Sequence, residues 1–163
     1  MTTRANIACL GAGRMGRGIA VAFAYAGHDV AIVDFKPRDV DRFAALEAEA
    51  LGEIRKTFAS LSRFGLLSAA DVETLMARVS VVPESAAAAA LSSAAIVFEG
   101  VPEVLDLKRE ALARASQLAG PAAYGRLMSR RELMVGKKLL HERHGLSLLE
   151  TRKAAPGCQN AGY

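Results

Sequence analysis

Residues 6–34, NIACLGAGRMGRGIAVAFAYAGHDVAIVD, contain the pattern that decides the fold. A short apolar run at residues 7–10 stops at a glycine, and a helical stretch of small residues runs from Arg14 to Ala26, where Gly27 can end it as a left-handed cap. A second apolar run occupies residues 30–33. Strands that are apolar on both faces are typical of parallel sheets covered by helices. The pattern therefore predicts a strand, a crossover helix and a second, parallel strand.

The glycine-rich turn between the first predicted strand and the first predicted helix is a candidate binding site. It has the spacing G-x-G-x-x-G and consists of Gly11, Ala12, Gly13, Arg14, Met15 and Gly16. The spacing alone is a weak signal, but its place between a strand and a helix is typical of dinucleotide-binding sites. In such a site Gly11 permits the tight turn, Gly13 lets the pyrophosphate approach, and Gly16 lets the helix pack closely on the strand. We expect the amides and the positive end of this helix to bind the paired phosphates.

The end of the second predicted strand carries a candidate ribose-binding acid. Asp34 can accept hydrogen bonds from both hydroxyls of an adenosine ribose, and its charge would repel a 2′-phosphate. We therefore expect NAD in preference to NADP, although Lys36 and Arg38 follow closely and could attract a 2′-phosphate. The alternative for Asp34 is an ordinary turn residue at a strand end. Arg14 and Arg17 either meet a phosphate ligand or face solvent.

Beyond Asp34 the chain continues to alternate between helical and strand patterns. The further predicted elements are a long helix from Asp39 to about Phe64, a helix after Ser68 with Asp71 in a capping-box position, strands at 79–82 and 95–98, and helices at 84–92 and 105–118. This alternation predicts an α/β fold: a Rossmann-type, doubly wound parallel sheet with a helical insertion after the second strand.

Three segments carry a resemblance to a known family. They are GAGRMGRGIA at residues 11–20, FEGVPE at residues 98–103 and LDLKRE at residues 105–110. In this order, on either side of the helical insertion, they resemble the 3-hydroxyacyl-CoA dehydrogenases. The resemblance covers roughly residues 5–120 and corresponds to the family's NAD-binding domain.

The resemblance implies a function and a set of site residues. By it, the glycine-rich turn and Asp34 bind NAD, whereas Glu103 and Lys108 lie near the nicotinamide half and the acyl-CoA. The implied reaction is hydride transfer between a 3-hydroxyacyl-CoA and NAD. The implied partner is an acyl-CoA substrate, and a homodimer is expected only in full-length relatives.

The resemblance ends after about residue 121. The family continues with a serine-rich turn, a histidine that acts as general base, a glutamate that orients it, an asparagine, and a helical domain that forms the acyl pocket and the dimer. Ser129 lies near the expected serine but lacks its surroundings, and no catalytic residue is assigned. We expect residues 1–120 to form the NAD-binding domain and residues 121–163 a truncated or divergent basic tail, for which poor order is one expectation. The family's C-terminal helical domain is expected to be absent.

The missing base leaves more than one function open. Hydride transfer from a hydroxyl-bearing carbon needs a group that removes the hydroxyl proton. We therefore expect the chain to bind NAD and to be incomplete for catalysis. One alternative is a non-catalytic NAD-binding or interaction module. Another is a related hydroxy-acid dehydrogenase of the gulonate or carnitine type.

Composition argues against several other classes of protein. With 163 residues, 52% of them hydrophobic, and a net charge of +4, the sequence is typical of one globular domain. It shows no long apolar run and no signal-peptide core, so we expect a cytoplasmic protein without membrane contact. Aromatic residues make up only 6% and Trp is absent, which argues against nucleic-acid binding. Cys9 and Cys158 are too few for a disulfide framework or a zinc site, so we expect free thiols and no metal.

Overall fold

The computed structural model describes residues 4–102, 104–119 and 127–128. In chain order the elements are β1 (Asn6–Leu10), α1 (Arg14–Tyr25), β2 (Asp29–Asp34), α2 (Val40–Arg63), α3 (Ala69–Met76), β3 (Val79–Pro83), a 3₁₀ turn (Glu84–Ala86), α4 (Ala87–Ser92), β4 (Ile96–Glu99), α5 (Leu105–Leu118) and β5 (Leu127–Met128). Strands and helices alternate, with α2 and α3 together forming the insertion between β2 and β3. The predicted order of elements is confirmed.

The strands form one parallel sheet in the order β3-β2-β1-β4-β5. β1 lies at the centre, where Ile7 is opposite Val30 of β2 on one side and Ile96 of β4 on the other. The first four strands have the order 3-2-1-4 that begins a Rossmann sheet. The strand order reverses between β1 and β4. Ligands bind at such a switch point, outside the carboxyl ends of the strands.

Helices cover both faces of the sheet, as the apolar strand runs predicted. Side chains that alternate along the strands pack with α1, α2 and α3 on one face, among them Ile7, Cys9, Ile32 and Val81. The strand residues that alternate with them face the other side of the sheet, and those such as Leu10 and Val33 are buried as well. Leu91 of α4 and Leu112 of α5 are also buried. The description as doubly wound is confirmed. Within the described residues no helix is long and apolar enough to span a membrane.

Local sequence signals mark several helix ends correctly. Gly27 follows α1 with φ of +96°, the left-handed conformation expected of a glycine at this position. Ser68 and Asp71 form a capping box, in which the Ser68 Oγ accepts the Asp71 N–H at 3.1 Å and an Asp71 carboxylate oxygen accepts the Ser68 N–H at 2.8 Å. The predicted helix over 84–92 is divided, because Ala86, with φ of −101° and ψ of 0°, interrupts the regular α geometry before α4.

The segment after residue 120 is described only at β5. Its two residues pair with Val97 and Phe98 of β4, so the sheet takes a strand from the segment that the sequence assigned to the tail. The boundary at residue 120 stays a prediction. Ser129 and Cys158 lie outside the described residues. Cys9 is buried and carries a free thiol.

Candidate functional site

The turn from β1 to α1 is closed by contacts that exclude side chains. Gly11 has φ of +96°, and its N–H donates to the Val33 carbonyl oxygen at 2.8 Å. A Cβ on Gly11 would lie 3.2 Å from the carbonyl oxygen of Gly100, at the end of β4. The first glycine thus supplies both a backbone conformation that L-residues rarely adopt and a close approach of two strand ends.

Gly16 holds α1 against this turn. A Cβ on Gly16 would lie 2.1 Å from the carbonyl oxygen of Gly11, far inside any allowed contact. On the other side, a Cβ on Gly100 would come within 3.3 Å of both the Gly16 nitrogen and the Leu10 oxygen. The backbones of the turn, the first turn of α1 and the end of β4 therefore touch directly. This agrees with the close-packing role expected of the third glycine of the motif.

Gly13 differs from these glycines, because no contact within the described residues requires a glycine there. It is exposed, its φ is −78°, and a Cβ there would meet no atom within 4 Å. It is the N-cap of α1 and supplies no capping side chain, and the first turn of the helix contains no acid. The first amides of a helix have no partner within it and carry its positive end. The N-terminus of α1 is thus left open for an anion.

An open cleft of about 670 Å³ lies against this end of α1. Its volume is in the range of small-molecule and cofactor sites. The predicted site residues in its lining are Gly11, Ala12, Gly13, Arg14, Met15 and Asp34. Gly100, Val101 and Pro102, which follow β4, line it as well. The cleft therefore lies at the carboxyl ends of β1, β2 and β4, at the switch point of the sheet.

Asp34 is the last residue of β2 and is only 5% exposed. One carboxylate oxygen accepts the Arg38 Nε–H at 2.5 Å, and the other accepts the Lys36 amide at 3.4 Å. A carboxylate has about four lone-pair positions, so these contacts leave capacity for further donors. Asp34 is thus fixed in the cleft where a ribose-binding acid is expected, with a guanidinium already beside it.

The two arginines of the first turn of α1 have different surroundings. Arg17 donates to the Ala12 carbonyl oxygen at 2.8 Å and forms ion pairs with Glu49 at 2.9 Å and Glu53 at 2.6 Å. Its hydrogen bond lowers the pKa of Glu53 below the ordinary value. Arg17 therefore ties the turn to α2. Arg14 lines the cleft and makes no hydrogen bond or ion pair with any residue that the structure describes.

Lys108 lies in α5, outside the lining of the cleft. Its ammonium pairs with Glu99 at 3.0 Å, and both side chains are only 3% exposed. The other oxygen of Glu99 accepts the Val101 N–H at 2.8 Å. The pair thus fixes the loop whose residues form one wall of the cleft. Glu103, the second residue expected near the nicotinamide, lies outside the described residues.

Sequence reasoning missed Glu99 and Arg114. An acid at the end of a buried strand, followed by a lysine in the next helix, is a signal that could have pointed to Glu99. Arg114 donates to the Phe35 carbonyl oxygen at 3.3 Å and pairs with Glu84 at 2.6 Å, so it links α5 to the segments after β2 and β3. Only its pairing with Glu110, one helical turn earlier, could be expected from spacing.

The arrangement fits a dinucleotide. An uncapped helix N-terminus suits a pyrophosphate, and a glycine with open space above it lets the phosphates approach the backbone closely. A buried acid at the end of the neighbouring strand suits a ribose. In the described part of the chain, no group of three or more His, Cys, Asp or Glu residues is placed to hold a metal ion.

Comparison with known families decides the identity of this domain. Residues 6–124 match the family described as 3-hydroxyacyl-CoA dehydrogenase, NAD binding domain. The chain belongs to this family. The resemblance stated from the three sequence segments is thereby confirmed, and the match extends four residues beyond the expected boundary at 120. No curated protein matches the chain.

Solved structures agree with the family. The (S)-3-hydroxybutyryl-CoA dehydrogenase of Ralstonia eutropha matches with a TM-score of 0.63 at 26% identity, over 74% of this chain and 39% of that one. The 3-hydroxybutyryl-CoA dehydrogenase of Escherichia coli K12 matches with a TM-score of 0.61 at 27% identity, over 75% of this chain and 24% of that one. FadB2 of M. tuberculosis, 23% identical, has a TM-score of 0.68 over 83% and 45% of the two chains and shows the fold alone. The chain therefore spans less than half the length of these proteins.

Proposed function

We propose that the cleft binds NAD(H) and that the chain is the NAD-binding part of an oxidoreductase acting between 3-hydroxyacyl-CoA and NAD. The observation that carries the proposal is the N-terminus of α1. It has no capping side chain, no acid in its first turn, and an exposed Gly13 that no contact within the described protein requires. Family membership and the two hydroxybutyryl-CoA dehydrogenases support the choice of dinucleotide and substrate class.

The proposed roles follow from the placement of the residues. The amides of the turn and of α1 hold the pyrophosphate, in the segment Gly11, Ala12, Gly13, Arg14, Met15 and Gly16. Asp34 accepts the hydroxyls of the adenosine ribose, for which its free lone pairs remain. Glu103 and Lys108 contribute to the nicotinamide half, a role that rests on the family resemblance. Lys108 acts there through the loop that its pair with Glu99 holds.

The described residues bind and orient, but we assign them no proton transfer. NAD, when bound, supplies a hydride acceptor, and a general base that takes the hydroxyl proton typically contributes about 10²–10⁴-fold. His28 is the histidine among the described residues, and it lies at the amino ends of the strands, away from the cleft. Its Nδ1 accepts the Ala5 N–H at 3.2 Å. We therefore propose that residues 1–120 act as a cofactor-binding domain that is incomplete for catalysis. An acyl-CoA substrate and a homodimer belong to the full-length relatives in this proposal.

A second candidate function is NAD binding without catalysis. In a non-catalytic NAD-binding or interaction module, the same cleft would bind NAD(H) and no base would be needed. Titration with NADH, followed by its fluorescence, tests the binding that both candidates share. Reduction of acetoacetyl-CoA by NADH would exclude the module, because a module has no turnover, whereas binding of NADH without turnover is expected of both candidates. A related dehydrogenase of gulonate or carnitine type would instead turn over its own hydroxy acid.

One substitution tests the pyrophosphate site directly. Gly13→Asp introduces a good N-cap, so thermal stability should be kept or raised, whereas its charge should repel the pyrophosphate. We expect NADH affinity to fall by about 100-fold, since two charges about 4 Å apart near a protein surface interact by several kcal/mol. Gly13→Asn caps equally well without the charge and is the matched control, with a smaller loss of affinity. If the folded Gly13→Asp variant binds NADH as tightly as the unaltered chain, the proposed site is wrong.

A further inference from the structure

The charge of Asp34 is already balanced before any ligand is present. Its carboxylate is buried and paired with Arg38 at 2.5 Å through the Nε–H. An unpaired acid at this position disfavours a 2′-phosphate by repulsion between like charges. Here a guanidinium sits beside the acid, so that repulsion is offset.

Arg38 also keeps donors for a ligand. A guanidinium has five N–H donors, of which the contact to Asp34 uses one. Its terminal nitrogens make no hydrogen bond within the described residues, and its side chain, 26% exposed, lines the cleft. A planar fork of this kind matches the geometry of a phosphate and can bind it through two parallel hydrogen bonds.

Two further cations line the same cleft. Lys36 follows Asp34 by two residues, and Arg14 begins α1; both line the cleft, and neither has an ion pair within the described residues. The other charged residues of the lining, besides Asp34 and Arg38, are Arg17, Glu110 and Arg114. Arg17 and Arg114 are engaged with glutamates, so the free charge of the cleft is cationic.

We propose that the pocket at the end of β2 accepts a 2′-phosphate, so that this chain binds NADP(H) as well as NAD(H), with Arg38 as the residue that sets the preference. The proposal rests on the proposed function, because it assigns the adenosine end of the same dinucleotide site. With NAD(H), the ribose hydroxyls donate to Asp34. With NADP(H), the 2′-phosphate accepts hydrogen bonds from the terminal nitrogens of Arg38 and from Lys36, while the Arg38 Nε–H stays on Asp34.

Parallel titrations with NADH and NADPH at fixed ionic strength test the proposal. The Kd for NADPH should lie within about tenfold of the Kd for NADH. Arg38→Gln should raise the ratio of the NADPH Kd to the NADH Kd by at least tenfold. Lys36→Gln should raise the same ratio, and because the Lys36 side chain makes no hydrogen bond or ion pair within the described residues, this variant should keep the stability of the parent. Arg42→Gln, an exposed arginine at the start of α2 outside the lining, is the matched control and should leave the ratio unchanged.

The outcomes separate the two proposals. A Kd of about 1 mM corresponds to weak ligand binding. If folded protein binds neither NADH nor NADPH at about this concentration, the proposed function fails. If NADH binds and NADPH binds more than 100-fold more weakly, the 2′-phosphate site is refuted while the proposed function stands. If Arg38→Gln weakens both dinucleotides equally, Arg38 only supports the site and does not set the preference.

Discussion

Replacement of Gly16 by alanine should destabilise the domain by an amount that the geometry predicts. The added Cβ would lie 2.1 Å from the carbonyl oxygen of Gly11, whereas ordinary contacts begin at 3.4 Å, so α1 and the turn must separate by more than 1 Å. Overpacking of this kind costs about 3 kcal/mol, and more here because the Cβ has no rotamer to change and the atom it meets is a backbone oxygen. Alanine recovers about 1 kcal/mol of helix propensity. The net loss is therefore about 2 kcal/mol or more, which corresponds to a fall in Tm of roughly 8 °C.

Gly18 provides the matched control, because it lies two residues further along the same helix. A Cβ there would meet nothing within 4 Å, so Gly18→Ala should gain the helix propensity alone, about 1 kcal/mol. The two variants, measured together by thermal and urea denaturation, should shift in opposite directions. Equal shifts would show that α1 does not touch the turn as described, and the reasoning about the glycine motif would then be wrong.

Three other predictions concern groups away from the glycine-rich turn. Lys108→Met should cost about 3–5 kcal/mol in urea denaturation, because Glu99 stays buried without its partner, and replacing Glu99 by Leu as well should restore part of the loss. Burial raises the pKa of Cys9 to about 12, so with the other cysteine replaced by serine, a thiol reagent should react only on unfolding. The hydrogen bond from Arg4 lowers the pKa of Asp29, so the stability it adds is present above about pH 4 and is lost as the pH falls through the lowered pKa. Arg4→Ala should therefore destabilise at pH 6, and the difference from the parent should shrink in acid.

Signals carried by near neighbours in sequence predicted much of the fold. The limits of α5 are those expected from its apolar spacing, Gly27 ends α1, and the capping box of Ser68 and Asp71 begins α3. The long α2 begins one residue after Asp39, whose side chain accepts the Arg42 N–H at 2.8 Å. In each case the deciding contact joins residues a few positions apart, so the sequence contains the information directly.

The site was predictable only where a motif implied its geometry. The glycine spacing predicted the close contact of α1 with the turn, and the end of β2 predicted the place of Asp34. The partners of the site residues were harder to predict. Arg17 reaches glutamates of α2, a contact that follows from how two separate helices pack. Arg38 folds back onto Asp34 within one loop, where no helical spacing rule applies, so the contact depends on the loop conformation.

The central position of β1 has a consequence for how the chain folds during synthesis. Ile7 pairs with Ile96 on the side of β1 away from β2. At roughly 5–20 residues per second, the ribosome needs on the order of 5–20 s to add the intervening stretch. During that interval an apolar strand edge has no partner, and such edges attract other unfolded chains. Aggregation of the nascent protein is therefore expected to depend on how quickly residues 96–99 emerge from the ribosome. Slow codons ahead of these residues should lower the yield of folded protein.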